Sequence, residues 1–380
     1  MNRDIDLVAA ALHYSVLFWL MVVIAGLFLA FGKIEGKKKK RYIFVVSTIL
    51  FVLMAFRGTY MGNDTKTYIT IFNKIAVYSN PFDYIRSSGM ESGYLLYCWV
   101  LSRISRDARI LFVVTAAVVM GSVGRFAYKY VDNVGMFYCL FVGMLQFDFF
   151  LSIMRQSVAV AILLYAVDYL QERRLIPYYV LSLLAVSFHN SSILFLLIYP
   201  LFSAKSLKKE HGLLSNMIMF SAAFVGGFFF DPIFKLVLRW FPKYSYYIGS
   251  ARVDGEPRLA IFLKLLVFFL LLVVARVVRK IPARNPKREK AERQMALLNL
   301  LVIVVASNAT VLMRFSSLFA LYTNAHYSNS VGRMRPRSPD KIWLTTLTLL
   351  AFYVYGLVLV VLKTPEWQTT YPIQLCLWLK

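Results

Sequence analysis

The feature that most constrains the fold of this chain is a series of long apolar runs, separated by short polar or basic breaks. Several runs approach the roughly 20 residues that a helix needs to cross a bilayer. Barrel strands would instead alternate over short segments, so the runs indicate helices. The hydrophobic share of 59% also exceeds the about 45–50% that is usual for soluble proteins. We therefore predict an all-α, polytopic integral membrane protein with about 12 transmembrane helices.

Cutting the sequence at charged or Gly- and Pro-rich breaks defines the candidate spans, which are expected to form a single transmembrane domain over 1–380. The first run has a polar flank and no small-residue cleavage pattern, so we interpret it as a retained span. Span 191–203 is short and is expected to be tilted, broken or half-buried. The twelve candidates are 7–31, 42–56, 108–124, 134–153, 156–171, 176–189, 191–203, 213–230, 259–275, 295–313, 315–331 and 342–362.

The distribution of basic residues predicts the orientation. The formal net charge is +24, and the Lys and Arg side chains cluster between the apolar runs. With the amino terminus outside, the cytoplasmic breaks hold 25 of the 43 Lys and Arg residues, as the positive-inside rule requires. Both termini and the loops 57–107 and 231–258 then lie outside, with an interfacial or re-entrant helix at 94–104. The positive charge is accounted for by topology, so no nucleic-acid partner is expected.

Motifs for nucleotide hydrolysis and zinc chemistry are not found. The sequence has no GxxxxGK[ST] loop, GxSxG elbow or HExxH motif, and Cys98, Cys139 and Cys376 are far apart. We therefore expect no cofactor and no metal.

Arginines near the predicted ends of spans are the first candidates for chemistry. Arg155 and Gln156 open one span, and Arg314 interrupts VLMRFSSLFALY. A guanidinium at such a depth is costly unless an anionic or polar group meets it, and its planar fork suits phosphate. The alternative is that these arginines snorkel to the outer headgroups.

Carboxylates and a histidine on the same side are candidate general bases. Asp64 and Glu91 lie among turn residues, and His189 lies between two predicted spans. A base must reach the proton of an acceptor hydroxyl, and histidine titrates near neutral pH. The alternatives are that either acid pairs with Arg57 in a structural ion pair, and that His189 is a hydrogen-bonded structural group.

Tyr60, Tyr68 and Tyr94 are interleaved with these polar residues and could stack on sugar faces. Aromatic belts at membrane interfaces have the same composition. From the residues alone, we infer an outward-facing cationic and aromatic cavity at the membrane boundary.

Taken in order, these pieces resemble the EpsG family of exopolysaccharide and O-antigen polymerases, which are Wzy-like membrane proteins. The resemblance spans about residues 57–322, with Ser92 where the family commonly has proline. It is carried by Arg57 with GNDTKTY and Phe72, ESGY at 91–94, MRQSVAVAILLYAVDYLQERR at 154–174, FHNSSILFLLIYP at 188–200 and MRF at 313–315.

The resemblance implies a fold similar to GT-C-type membrane glycosyltransferases and a position in the bacterial cytoplasmic membrane with the active site facing outward. It implies that undecaprenyl-diphosphate-linked oligosaccharide repeat units are joined without a metal. Membrane lipids and a chain-length regulator protein are the other expected partners. Arg57, Arg155, Gln156 and Arg314 would then bind the diphosphate. Asp64, Glu91 and His189 remain alternative bases.

Three other functions compete with this hypothesis. A ligase or single-addition glycosyltransferase would use the same lipid carriers but make one transfer. A flippase for lipid-linked oligosaccharides would favour a charged path through the membrane centre and internal repeats. A non-catalytic scaffold in an export complex would tolerate alanine at the candidate residues.

Overall fold

The computed structural model describes residues 7–32, 34–203, 259–278, 285–306, 313–363 and 375–376. These residues are almost entirely helical, and the one β pairing among them is an isolated antiparallel bridge between Arg57 and Leu375. The predicted span 213–230 and the predicted outer loop 231–258 lie outside the described residues. The all-α expectation is confirmed for the described part of the chain.

The described residues form fifteen α-helices and one 3-10 helix, Asn190–Ile193. The α-helices are α1 Leu7–Phe31, α2 Gly36–Ala55, α3 Thr65–Ala76, α4 Pro81–Ser88, α5 Ser92–Ile104, α6 Arg109–Tyr130, α7 Val134–Gly143, α8 Gln146–Ser152, α9 Met154–Gln171, α10 Leu175–Phe188, α11 Leu194–Ser203, α12 Leu259–Val277, α13 Pro286–Ala306, α14 Met313–Gly332 and α15 Pro339–Lys363.

The chain divides into two compact units. The first comprises residues 1–196 and 335–380, and the second comprises 197–334. In the first unit, α6 packs against both α2 and α9, α9 packs against α10, and α1 and α15 pack against α7. In the second unit, α12, α13 and α14 pack against one another.

Length and composition identify fewer membrane spans than the sequence predicts. Among the described residues, Arg109–Tyr130 and Pro339–Leu359 are long and apolar enough to cross a bilayer. A third span results if the pair α7 and α8, bent by 58°, is counted as one. The predicted continuous span 134–153 is therefore broken into shorter helices. The φ of 55° at Leu145 does not fit a right-handed α-helix and interrupts the span there. These apolar helices fit a membrane protein.

The region 57–107 is more helical than predicted, with α3, α4 and α5 where one helix was expected. Local signals define α4: the Asn80 side chain accepts a hydrogen bond from the Phe82 N–H, Pro81 occupies the first turn, and Gly89 ends the helix with a φ of 67°. Helix α5 has 13 residues, fewer than the roughly 20 of a full crossing.

Two arginines, one in the last turn of α5 and one just after it, stabilise the carboxyl end of α3. The Arg103 Nη2 group donates to the Ala76 carbonyl at 2.7 Å, and Arg106 Nη1 donates to the same oxygen. Cations at this end of a helix compensate the partial negative charge of its last carbonyls. A structural role therefore explains why basic residues are found in a region predicted to lie outside.

A cluster of buried apolar side chains packs against short helices of region 57–107. It joins residues of α3, α5 and α6 to the first residue of α9, Met154. Its members are Tyr68, Ile71, Phe72, Ile75, Tyr94, Leu95, Cys98, Leu101, Ala108, Leu111, Phe112 and Met154. The packing fixes the amino-terminal turn of α9 against region 57–107.

Candidate functional site

An ion pair between Arg155 and Glu91 lies at the centre of the candidate site. Arg155 is in the first turn of α9, and Glu91 is the residue that precedes α5. Arg155 Nη1 donates to Glu91 Oε2, and the two side chains are 22% and 9% exposed. The alternative in which Glu91 pairs with Arg57 is wrong, since the carboxylate pairs with Arg155.

Both oxygens of Glu91 have partners. Oε1 accepts a hydrogen bond from the Asn190 N–H at 3.4 Å, while Oε2 receives Arg155. Burial opposes ionisation of Glu91, but the charge of Arg155 and the backbone N–H groups at the carboxylate keep its pKa below the usual value. Glu91 is thus an ionised group that joins α5, α9 and the turn after α10.

Arg57 is a second guanidinium near this pair, and it is completely buried. Its Nη1 donates to the Met54 carbonyl at 3.3 Å, its Nη2 lies 3.8 Å from Met154 Sδ, and its Cζ lies 4.4 Å from the centre of the Phe112 ring. Among the residues that the structure describes, the Nε–H has no hydrogen-bond partner, and no carboxylate forms an ion pair with Arg57. Burial lowers the pKa of Arg57 to about 9, so the group remains a cation at neutral pH.

Tyr68 and Tyr94 are close to both arginines. Each phenol interacts electrostatically with both Arg57 and Arg155. Their rings meet edge to face with centroids 5.7 Å apart, and both side chains are buried. Neither ring therefore offers a face to a sugar in this structure, and neither buried hydroxyl makes a hydrogen bond of normal geometry with a described residue.

A buried hydrogen-bonded group adjoins the ion pair. It consists of His189, Ser191 and Gln156. His189 Nδ1 accepts from the Ser191 N–H at 3.2 Å and lies 2.7 Å from Ser191 Oγ. Gln156 Nε2 donates to the same Oγ at 3.3 Å. Gln156 is fully buried, so it supports the turn that follows α10 and, in this structure, has no exposed surface for a ligand.

Asp64 and Tyr60 lie at the more open edge of the region. Asp64 is the N-cap residue of α3, is half-buried and forms no side-chain capping bond or ion pair with a described residue. It lies close enough to Tyr68 to interact with it electrostatically. Tyr60 is 66% exposed, with Lys66 Nζ 3.9 Å from its ring centre.

Arg314 belongs to the second unit. It is half-buried in the first turn of α14, where its carbonyl accepts a hydrogen bond from Ser317 Oγ at 2.8 Å. The other predicted site residues all belong to the first unit, where Arg57, Tyr68, Glu91, Tyr94, Arg155, Gln156 and His189 are brought together.

Sequence reasoning missed Arg109 and Ser191 as members of this region. Arg109 is buried, and its Nη1 donates at 2.9 Å to the carbonyls of Ala55 and Arg57, while Nε and Nη2 have no hydrogen-bond partner among the described residues. A third arginine in the sequence RISRDAR was a signal that could have identified it. Ser191 is part of FHNSS, but only its contact with His189 reveals its role.

The electrostatic character of the site is that of an anion site. Within the part of the chain that the structure describes, Arg57 and Arg155 are matched by one ion-paired carboxylate, and the Nε–H groups of both have no hydrogen-bond partner. The amino terminus of α9 contributes further positive potential, because its N-cap Ile153 makes no side-chain capping bond. Donors of this kind suit phosphate oxygens.

The profile of the EpsG family matches residues 40–375, a range that contains every residue of this site. No curated protein and no solved structure matches the chain. The family match covers nearly the whole sequence and confirms the resemblance that its ordered motifs carry. The chain thus belongs to the EpsG family, which implies a polymerase-type glycosyltransferase.

Proposed function

We propose that the protein is a polysaccharide polymerase that joins undecaprenyl-diphosphate-linked oligosaccharide repeat units at the outer face of the bacterial cytoplasmic membrane. In this proposal about twelve helices cross the membrane, in an arrangement similar to GT-C-type glycosyltransferases. Region 57–107 faces outward. Membrane lipids surround the protein, and a chain-length regulator is a candidate partner.

The observation that carries the proposal is an excess of positive charge: among the described residues, the two guanidinium groups of Arg57 and Arg155 are matched by the single carboxylate of Glu91. Burying a cation without a counter-ion is costly, and such sites are kept where an anion must be bound. The Nε–H groups of Arg57 and Arg155 have no hydrogen-bond partner among the described residues, and guanidinium donors match the oxygens of a diphosphate. Arg155 is the partly exposed member and would contact the ligand, while the enclosed Arg57 would add to the positive potential.

The proposed reaction transfers the growing chain from its lipid carrier to the incoming unit. A hydroxyl oxygen of the incoming unit forms a bond to the anomeric carbon of the chain, and the bond from that carbon to the diphosphate oxygen breaks. The electron pair remains on the lipid diphosphate, where guanidinium groups stabilise the added negative charge without a metal. The hydroxyl proton passes to a general base.

Asp64 is the base that the contacts favour. Glu91 uses both oxygens in hydrogen bonds and has a lowered pKa, so it accepts a proton poorly. Asp64 has no ion-pair partner among the described residues and is accessible beside Tyr68. The exposed Tyr60 would offer the free face of its ring to a sugar.

The test compares a deletion strain complemented with the wild type, Arg155→Ala or Asp64→Asn. Surface polysaccharide is separated by length, and lipid-linked units are extracted and located by their access to an external glycosidase. We expect both variants to lose long polymer while single repeat units persist outside the cytoplasm. The matched control is Arg86→Ala, because Arg86 is an exposed arginine on α4 that makes no described ion pair.

Full-length polymer in the Arg155→Ala strain at the wild-type protein level would overturn the proposed role of the arginines. A single added unit in the wild type would indicate a ligase or single-addition transferase. Normal polymer after combined alanine substitution of Arg57, Asp64, Arg155 and His189 would indicate a scaffold.

A flippase for lipid-linked oligosaccharides is the second candidate, and one observation favours it. Helix α14 is buried along most of its length and carries polar side chains on several faces. In the second unit, Asn299 accepts from Ser316 Oγ at 2.7 Å and donates to Thr323 Oγ1 at 3.1 Å, and Asn329 donates to Glu292 at 3.0 Å. Polar groups inside a membrane often mark a substrate path. Accumulation of units on the cytoplasmic side of the deletion strain would favour this candidate.

A further inference from the structure

The carboxyl end of α2 is held by groups from two distant parts of the chain. The last carbonyls of a helix have no partner within the helix and need donors from elsewhere. Arg109, at the start of α6, donates from Nη1 at 2.9 Å to the carbonyls of Ala55 and Arg57. The carbonyl between them, on Phe56, accepts the backbone N–H of Cys376 at 2.7 Å. Three successive carbonyls at this helix end are therefore bound by remote donors.

The Cys376 contact belongs to the isolated antiparallel bridge between Arg57 and Leu375. We call Leu375 and Cys376 the bridge segment. Both sides of the bridge belong to the first compact unit, and the match to the EpsG family includes Leu375. Cys376 also lies close enough to Arg109 to interact with it electrostatically. The bridge segment, the end of α2 and the start of α6 thus meet around Arg57.

These contacts determine where the Arg57 guanidinium lies. Its Nη1 donates at 3.3 Å to the Met54 carbonyl in the last turn of α2, and its Cζ lies 4.4 Å from the centre of the Phe112 ring in α6. The side chain is fully buried, so close packing leaves it little room to keep its place if its own backbone moves. A shift of the backbone at Phe56 and Arg57 would therefore displace the guanidinium charge.

We propose that the bridge segment positions Arg57 for the transfer reaction, because the Cys376 N–H holds the backbone from which the guanidinium extends. The inference rests on the proposed function, which supplies the lipid diphosphate. A cation stabilises a developing negative charge most effectively when it is already in place, so a small displacement is costly. The bridge segment itself contacts no ligand in this proposal. Its pairing with Arg57 places it on the same side of the membrane as the start of region 57–107.

The first test asks whether the bridge forms in the membrane. Phe56 and Cys376 lie opposite each other across the bridge, where Cβ atoms are about 4.5–5.5 Å apart, close enough for a disulfide after a small adjustment. Phe56→Cys provides a partner for the exposed Cys376, whereas Cys98 and Cys139 are buried. Mild oxidation of membranes should link positions 56 and 376, as detected by mass spectrometry of the joined peptides. The oxidised variant should form polymer as fast as the same variant under reducing conditions. Phe51→Cys lies outside the bridge and should remain unlinked.

The second test removes the donor from the bridge. Cys376→Pro lacks the backbone N–H and favours an extended residue before it, so the direction of the segment is kept. Cys376→Ala keeps the N–H and is the conservative comparison. Polymer formation is measured with equal amounts of folded protein, over a range of concentrations of lipid-linked units extracted from the deletion strain. We expect Cys376→Pro to lower kcat by about 100-fold, the usual cost of misplacing a group by about 1 Å, with little change of KM. Cys376→Ala should be affected far less.

Equal values of kcat for the Pro and Ala variants would overturn the positioning role, and so would a failure of Phe56→Cys to link to Cys376. A loss confined to KM, or one that only follows the melting temperature of the purified variants, would also overturn it. Failure of the proposed function has a different signature: Arg155→Ala would leave the polymer unchanged, while the disulfide with Cys376 would still form.

Discussion

Arg155 in the first turn of α9 donates a hydrogen bond to Glu91, the residue before α5, although 64 positions separate them in the chain. The contact makes Glu91 a positioning residue for the guanidinium. Removing one partner of a largely buried charge pair leaves the other charge buried, with nothing to compensate for its lost hydration.

Glu91→Gln should therefore destabilise the protein by about 1–3 kcal/mol, the usual cost of an unsatisfied buried polar group. The measurement is thermal unfolding of the purified protein in detergent, combined in a double-mutant cycle with Arg155→Gln. The two substitutions should be coupled by at least about 0.5 kcal/mol. Additive effects would show that the ion pair contributes nothing to stability.

The Glu91 contact also predicts a dependence on pH. The folded-state pKa of Glu91 is lowered, so its contribution to stability is fully present above the unfolded value of about 4.3. The contribution is lost as the pH falls from there through the folded pKa. The difference in melting temperature between the wild type and Glu91→Gln should therefore begin to shrink as the pH falls below about 4.3 and continue to shrink towards the folded-state pKa. A constant difference between pH 7 and pH 3 would contradict this prediction.

Arg57→Met should remove polymer formation without lowering stability. Arg57 is buried, and no carboxylate in the described part of the chain pairs with it, so an apolar side chain of similar length removes a desolvation penalty. Arg109→Met is the matched comparison, because it removes two 2.9 Å hydrogen bonds to the carbonyls of Ala55 and Arg57. We expect the melting temperature to fall for Arg109→Met alone. An equal fall for both would assign Arg57 a structural role.

Gly62→Ala should destabilise the protein by about 1–3 kcal/mol, the range for strained backbone conformations. Gly62 has a φ of 82°, and a Cβ there would lie 3.0 Å from Leu151 Cδ2 and 3.2 Å from Ser152 Cα. Gly89→Ala provides the control, because Gly89 has a φ of 67° but open space around it. The Gly62 variant should unfold at the lower temperature. Equal melting temperatures would show that the close approach to α8 is unimportant.

Asp168→Asn should lower stability without changing the rate of polymer formation per folded molecule. Asp168, near the other end of α9 from Arg155, accepts hydrogen bonds from Arg125 and Tyr130 and pairs with Lys129 at 2.9 Å. Its substitution leaves these α6 groups with a weaker partner, far from the candidate site. Thermal unfolding and polymer assays on equal amounts of folded protein test both parts. A change of rate in folded protein would contradict the structural assignment.

Apolar runs were sufficient to predict much of the helical structure. The predicted span 342–362 corresponds to Pro339–Lys363, and 259–275 corresponds to Leu259–Val277. An apolar run in lipid can satisfy its backbone groups only as a helix, which is why hydropathy identifies it. The break at Leu145 had no such signal, because leucine does not mark a turn and its positive φ depends on the surrounding packing.

The short helices α3 and α4 were missed for a different reason. Their sequences are polar, so hydropathy does not identify them as helices. For α4, however, Asn80, Pro81 and Gly89 are ordinary helix boundary signals. Tyr68 and Tyr94 are buried in the structure, whereas Tyr60 is exposed. The sequence pattern alone could not predict this difference.

The sequence by itself determined the helical class, the family and the kinds of side chain available to the site, because these depend on local composition and on ordered motifs. Only the tertiary structure decided that Glu91 meets Arg155, that Arg57 has no carboxylate partner among the described residues, and that His189 accepts at Nδ1. Charge pairing, desolvation and hydrogen bonding depend on distances of a few ångströms between residues far apart in the chain. Those distances are set by packing, which no local pattern specifies.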